Sequence, residues 1–158
     1  MHTPATIAKH FREVYFGGNW TVSNLQQHLK DVNWQQATTQ VYDLNTIAIL
    51  INHIHYYVRV ATKVLQGGPL EGKDELSFAH PSIQSQADWE AILQQTWSEA
   101  EAFAQLIEQL PEDILSADFG DPKYGSYYRN LHGIVEHTHY HLGQIVLIKK
   151  IVLAQNQA

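Results

Sequence analysis

The sequence predicts an all-α fold, a four-helix bundle with a long crossover connection between helices 2 and 3. Three observations predict it. Apolar residues recur at helical spacing in four long segments, no segment alternates as a half-buried strand does, and breaks rich in Gly and Pro separate the segments. Four amphipathic helices bury their stripes most simply against one another.

The first helix is expected from about Pro4, a favoured first-turn residue, through Ile7, Phe11 and Val14 to a stop at Gly17-Gly18. A short amphipathic turn is expected around Thr21 to Leu29, with Asp31 to Gln36 leading out of it. Asp43 or Asn45 can cap the second long helix, which ends at Gly67-Gly68-Pro69. Gly67 to Ser82, with Gly, Pro and mixed charges, reads as the crossover loop. Ser85-Gln86-Ala87-Asp88 resembles a capping box and opens a third helix, which runs through Trp89, Trp97 and Phe103 to Leu110-Pro111. After a loop from Phe119 to Gly125, Ser126 can cap a fourth helix reaching about Leu153.

Composition narrows the function. The 158 residues suit one domain, 1–158, burying roughly 70% of its unfolded surface. With no cysteine, a disulfide framework, a thiolate zinc site and a cysteine nucleophile are excluded. A net charge of −6, with no positive cluster longer than Lys149-Lys150, argues against a nucleic-acid partner. No apolar run approaches the ~18 residues of a membrane span, and the first residues lack a signal-type apolar region. The expectation is a cytoplasmic protein with no membrane partner.

Histidine is the unusual residue: there are 10, as many as Lys and Arg together, and four fall between 132 and 141. At about 100° per residue, His137 and His141 share one apolar stripe of the fourth helix with Asn130, Ile134, Gln144, Ile145, Ile148 and Val152. His132 and His139 lie roughly opposite. On the second helix His53 shares the apolar stripe of Ile49, Leu50, Tyr57, Val60, Ala61 and Val64, whereas His55 falls with Asn52, Arg59 and Lys63 on the polar side. Three imidazoles, His53, His137 and His141, therefore point inward, and His55, His132 and His139 are expected in solvent. The scattered His2, His10, His28 and His80 are not candidate ligands.

Burying three imidazoles is costly unless each finds a partner. A divalent metal is one such partner, because neutral imidazole is its commonest nitrogen ligand and three protein ligands leave a position open for water or substrate. Hydrogen bonding within the core is the other. Gln144, one turn from His141, can orient a ligand, Tyr57 and Tyr140 can line a pocket, and Gly143 can permit close helix packing. No carboxylate lies clearly on the ligand stripe. Glu136 is rotated from it by about 100°, so the general acid or base is not identified.

The run Asn45 to His53, together with His137-Thr-His-Tyr-His141-Leu-Gly-Gln144, resembles the DinB/YfiT-like family of metal-dependent enzymes. Gly17-Gly18-Asn19-Trp20-Thr21 is similar to the segment after that family's first helix. The resemblance implies a three-His site at His53, His137 and His141 for a divalent ion, often nickel or zinc, and frequently a homodimer. Imidazole ligands also suit iron, manganese or copper. It further implies activation of a low-molecular-weight thiol, or of water, for attack on a small electrophile, as in a thiol transferase or a hydrolase. A metal-binding or stress-related protein without turnover is the alternative. Leu142 stands where the family usually carries a basic residue.

Overall fold

The computed structural model describes residues 2–155. The four expected long helices form as α1 (Thr3–Phe16), α4 (Ile47–Leu65), α6 (Gln86–Glu108) and α7 (Tyr127–Gln155). Between them stand three short helices: α2 (Leu25–Leu29), α3 (Trp34–Thr38) and α5 (Asp74–Ser77). Two 3-10 turns, Glu112–Ser116 and Pro122–Tyr124, lead into α7. The described residues form no strand, only an isolated bridge between Asp118 and Ser126. None of their helices is long and apolar enough to cross a membrane.

Local chemistry sets the helix ends. Gly17, with φ of 109°, closes α1 by donating its N–H to Glu13 C=O, a backbone that strains any side-chain-bearing residue. Helix α4 starts later than either expected cap, because Thr46 Oγ1 accepts from Ile49 N–H and leaves Asp43 and Asn45 outside. At α6, Ser85 Oγ accepts from Asp88 N–H, but the Asp88 carboxylate accepts from Gln84 N–H, one residue before the N-cap. Ser126 caps α7 through Arg129 N–H, as expected.

Two connections depart from the sequence reading. The expected turn from Thr21 shrinks to α2, capped by Asn24, because Val22 takes a positive φ of 55° that no helix tolerates. Residues leading out of it form α3, for which Asn33 and Gln36 make a full capping box.

In the bundle, α1 packs chiefly on α6 and α4 chiefly on α7, while α4 also meets α6 and α1 meets α7. Phe11 stands edge-on to Phe103, 5.0 Å between centroids, and both are buried. Trp89 is buried and donates its Nε1–H to Val32 C=O at 2.9 Å, so its polar atom is satisfied. The crossover is not a bare loop. It carries α5 and is pinned to the approach of α7 at Gly120, where a Cβ would come within 2.8 Å of Leu70 Cβ. Leu70 also walls the apolar recess described next.

Gly143 does not serve close packing. A Cβ there would meet nothing within 4 Å, because its face of α7 points away from the other helices.

Candidate metal centre

Helices α4 and α7 bring His53, His137 and His141 together, as their helical phases predict. His137 Nε2 lies 3.1 Å from His53 Nε2 and 3.0 Å from His141 Nε2. One ligating nitrogen from each ring falls within 4.8 Å of the others. His53 and His141 are buried, and His137 is half-buried at the edge of the cleft.

The rings are oriented from behind. Ser77 Oγ donates to Asp74 C=O at 2.5 Å, so it accepts from His53 Nδ1–H at 2.7 Å. Gln144 Oε1, which can only accept, takes the Nδ1–H of His141 at 2.7 Å. Both imidazoles therefore present Nε2 lone pairs toward His137 Nε2. His137 has at most one hydrogen there while neutral, so at least one of the converging lone pairs is left without a donor.

A divalent cation fits that arrangement. Zinc–nitrogen bonds of about 2.0–2.1 Å place neighbouring ligand nitrogens about 2.9 Å apart at right angles and about 3.3 Å apart in a tetrahedron. The two close separations, 3.0 and 3.1 Å, fall between those values. Electrostatics agree. Burial, then its histidine neighbours, hold His137 down to about 4. His53 is lowered for the same reasons, with Asp74 opposing. Both rings are thus neutral near neutral pH, the form that binds metal.

Beside the trio opens a cleft of about 580 Å³, lined by His53, His137, Tyr57, Asp74, Arg129, Asn130 and Glu136 among others. Past Tyr57 and Asp74 it adjoins an apolar recess walled by Val60, Ala61, Leu70, Phe119 and Ile134. The Tyr57 ring stands edge-on to both His53 and His137, and its hydroxyl donates to the Asp74 carboxylate. Burial and that carboxylate push Tyr57 up to about 12.

Asp74, Ser77 and Phe78 escape the sequence reading. They come from the crossover, where no periodicity assigns a face. The single available signal is the Asp74/Ser77 spacing of one helical turn. Glu136, off the ligand stripe by phase, nevertheless lines the cleft. Tyr57 lines it as expected, whereas Tyr140 stands 65% exposed with its ring edge-on to His141. Leu142 is a core residue, which explains why no charge stands there.

The larger correction is His55. Expected in solvent, it is 1% exposed, because α6 packs over that side of α4. Its Nε2–H donates to the Glu99 carboxylate at 2.7 Å, which Arg59 Nε also reaches at 2.7 Å. Glu99 is held down to about 2 by these donors, and burial lowers His55. His132 and His139 are partly buried rather than fully solvated.

The model of the DinB superfamily matches residues 15–145, a span that takes in all three inward histidines. The chain belongs to the DinB superfamily. Its helical bundle is the DinB fold, and the three-histidine cluster within it suggests divalent-metal binding. No curated protein and no solved structure matches this DinB chain.

Proposed function

We propose that His53, His137 and His141 hold one divalent ion, zinc or nickel first among those that imidazole suits, and that the protein is a metal-dependent enzyme acting on a small electrophile. The observation that carries this reading is the convergence of three Nε2 atoms, two of them with tautomers fixed from behind. A bound ion supplies an electrophilic centre that lowers the pKa of a water or thiol reaching its open position. The chain's own residues do the rest. Ser77 and Gln144 orient the imidazoles, and the apolar recess takes the body of the substrate and excludes water from it. Tyr57 and Asp74 hold a proton at the cleft wall, where Asp74 Oδ1 accepts the phenolic hydrogen. Arg129, on the first turn of α7, offers guanidinium donors at the far end, whereas the Asn130 side-chain N–H groups are taken by the carbonyls of Tyr124 and Ser126.

The nucleophile is a low-molecular-weight thiol in the first reading. A specific observation also supports water: Asp74 places a carboxylate in the cleft, where a hydrolase needs a proton acceptor. A homodimer is part of the proposal and is checked by sedimentation.

Metal content per chain, measured by elemental mass spectrometry on untagged protein, tests the centre. Near-stoichiometric metal, lost in His53→Ala and in His137→Ala/His141→Ala, is expected. Absence of metal after reconstitution with zinc or nickel overturns the proposal and leaves three core histidines. Given metal, a screen of thiols with electrophiles against simple esters and amides separates transferase from hydrolase.

A further inference from the structure

The crossover does more than span the bundle. Its residues surround the outer side of His53. Ser77, fully buried, accepts from His53 Nδ1–H at 2.7 Å, and the Phe78 ring stacks on the imidazole, 4.3 Å between centroids and 20° from parallel. The segment is in turn fastened to α4. Asn52 Nδ2, one residue before His53, donates to Ser77 C=O at 2.8 Å and to Ala79 C=O at 3.0 Å. The Ser77 hydroxyl closes the turn by donating to Asp74 C=O. Because the one hydroxyl hydrogen of Ser77 is given to Asp74 C=O, its oxygen is left to accept, and the hydrogen between it and His53 belongs to Nδ1.

That direction matters because an isolated neutral imidazole prefers its hydrogen on Nε2, the nitrogen that here faces the cluster. Only an acceptor at Nδ1 holds the hydrogen on the far side and leaves Nε2 free to ligate. His141 has such an acceptor on its own helix, in Gln144. His53 has none on α4 and takes one from the crossover.

We propose that Ser77 is a positioning residue of the metal centre, holding His53 in the Nδ1–H tautomer, with Asn52 locking the crossover backbone that carries it. The proposal rests on the metal reading above. It makes the crossover part of the site, since releasing residues 77–79 from α4 would also release the third ligand's tautomer.

The test compares wild type with Ser77→Ala, Ser77→Thr and Asn52→Ala. Imidazole ¹⁵N spectra of the metal-free proteins read the tautomer, and competition with a chromophoric chelator reads zinc affinity. Wild-type His53 carries its hydrogen on Nδ1. Ser77→Ala moves it largely to Nε2 and weakens zinc binding about 10–100-fold, the usual effect of losing such a partner. Ser77→Thr keeps the hydroxyl and restores both readouts, which a purely structural role of the small side chain would not do. Asn52→Ala, which keeps Ser77, gives a partial loss and serves if Ser77→Ala does not fold. Wild-type protein that takes up no zinc overturns the metal reading and this proposal together. Wild-type zinc binding with unchanged affinity and tautomer in Ser77→Ala overturns the role of Ser77 alone.

Discussion

Replacing Gln144 by Leu removes one hydrogen-bond acceptor and little volume, and its effect can be worked out in advance. Gln144 Oε1 takes the Nδ1–H of His141 at 2.7 Å. Without it, His141 is free to move its hydrogen to Nε2, where it points at His137 and must be displaced before an ion binds. Loss of such a partner weakens metal binding about 10–100-fold, or about 1.4–2.7 kcal/mol. With zinc at 100 times the wild-type Kd, binding stabilises the wild type by about 2.7 kcal/mol. At that zinc concentration the variant retains about 0.4–1.4 kcal/mol. For a chain of this size 1 kcal/mol moves Tm by about 2–4 °C. Calorimetry with and without zinc should therefore show a shift of about 5–11 °C for the wild type and about 1–6 °C for Gln144→Leu. A full wild-type shift in the variant would refute the idea that tautomer control matters at this site.

Four further outcomes follow from the geometry and the electrostatics. Glu99→Ala leaves the Nε2–H of buried His55 without an acceptor and should lower stability by about 1–3 kcal/mol. Arg59→Ala removes only an exposed partner of the same carboxylate and should change stability by under about 1 kcal/mol, so equal effects in denaturant titrations would count against a buried role for His55. Metal-free protein should lose stability as pH falls from about 6.5, the unfolded histidine value, through the depressed values of His53 and His137, the latter about 4. In that window the unfolded chain takes up protons that the native rings refuse, so stability is full above it. Urea midpoints that stay level between pH 7 and 5 would contradict this. Gly143→Ala should raise Tm by about 2–4 °C, since the added methyl meets open space and Gly in mid-helix costs about 1 kcal/mol.

The histidine trio was legible because it lies on helices whose apolar residues keep a 3.6-residue period. His53, His137 and His141 could be sorted inward without knowing what faced them. His55 could not, and the reason is physical. It sits about 200° around α4 from His53, among Asn52, Arg59 and Lys63 but also beside the buried Ile51 and Val58, so the pattern there is mixed. A helix packed on two sides can bury a mixed stripe when its neighbour brings a matching group, and α6 brings Glu99. Periodicity reads one chain segment at a time and has no access to that partner. Ser77 and Asp74 were hidden for a different reason. Their orientation is set by the docking of the crossover through Asn52 and Gly120, a tertiary event without a repeat. Gly143 shows the opposite error, in which an expected packing role falls on a face that nothing approaches.

His53 and His137 stand 84 positions apart in the chain, and that distance gives the centre a place in the order of folding. His137 and His141 share a helix and can meet an ion as soon as α7 has a few turns. The third imidazole arrives only when a long loop has closed, at an entropic cost near 4 kcal/mol plus a constant. Complete coordination is thus a long-range contact, absent from any locally structured intermediate. A spectroscopic ion such as cobalt would read the docking of α4 on α7 in real time. In a refolding experiment its final ligand-field spectrum should appear with the slowest native contacts, after helical signal has already returned.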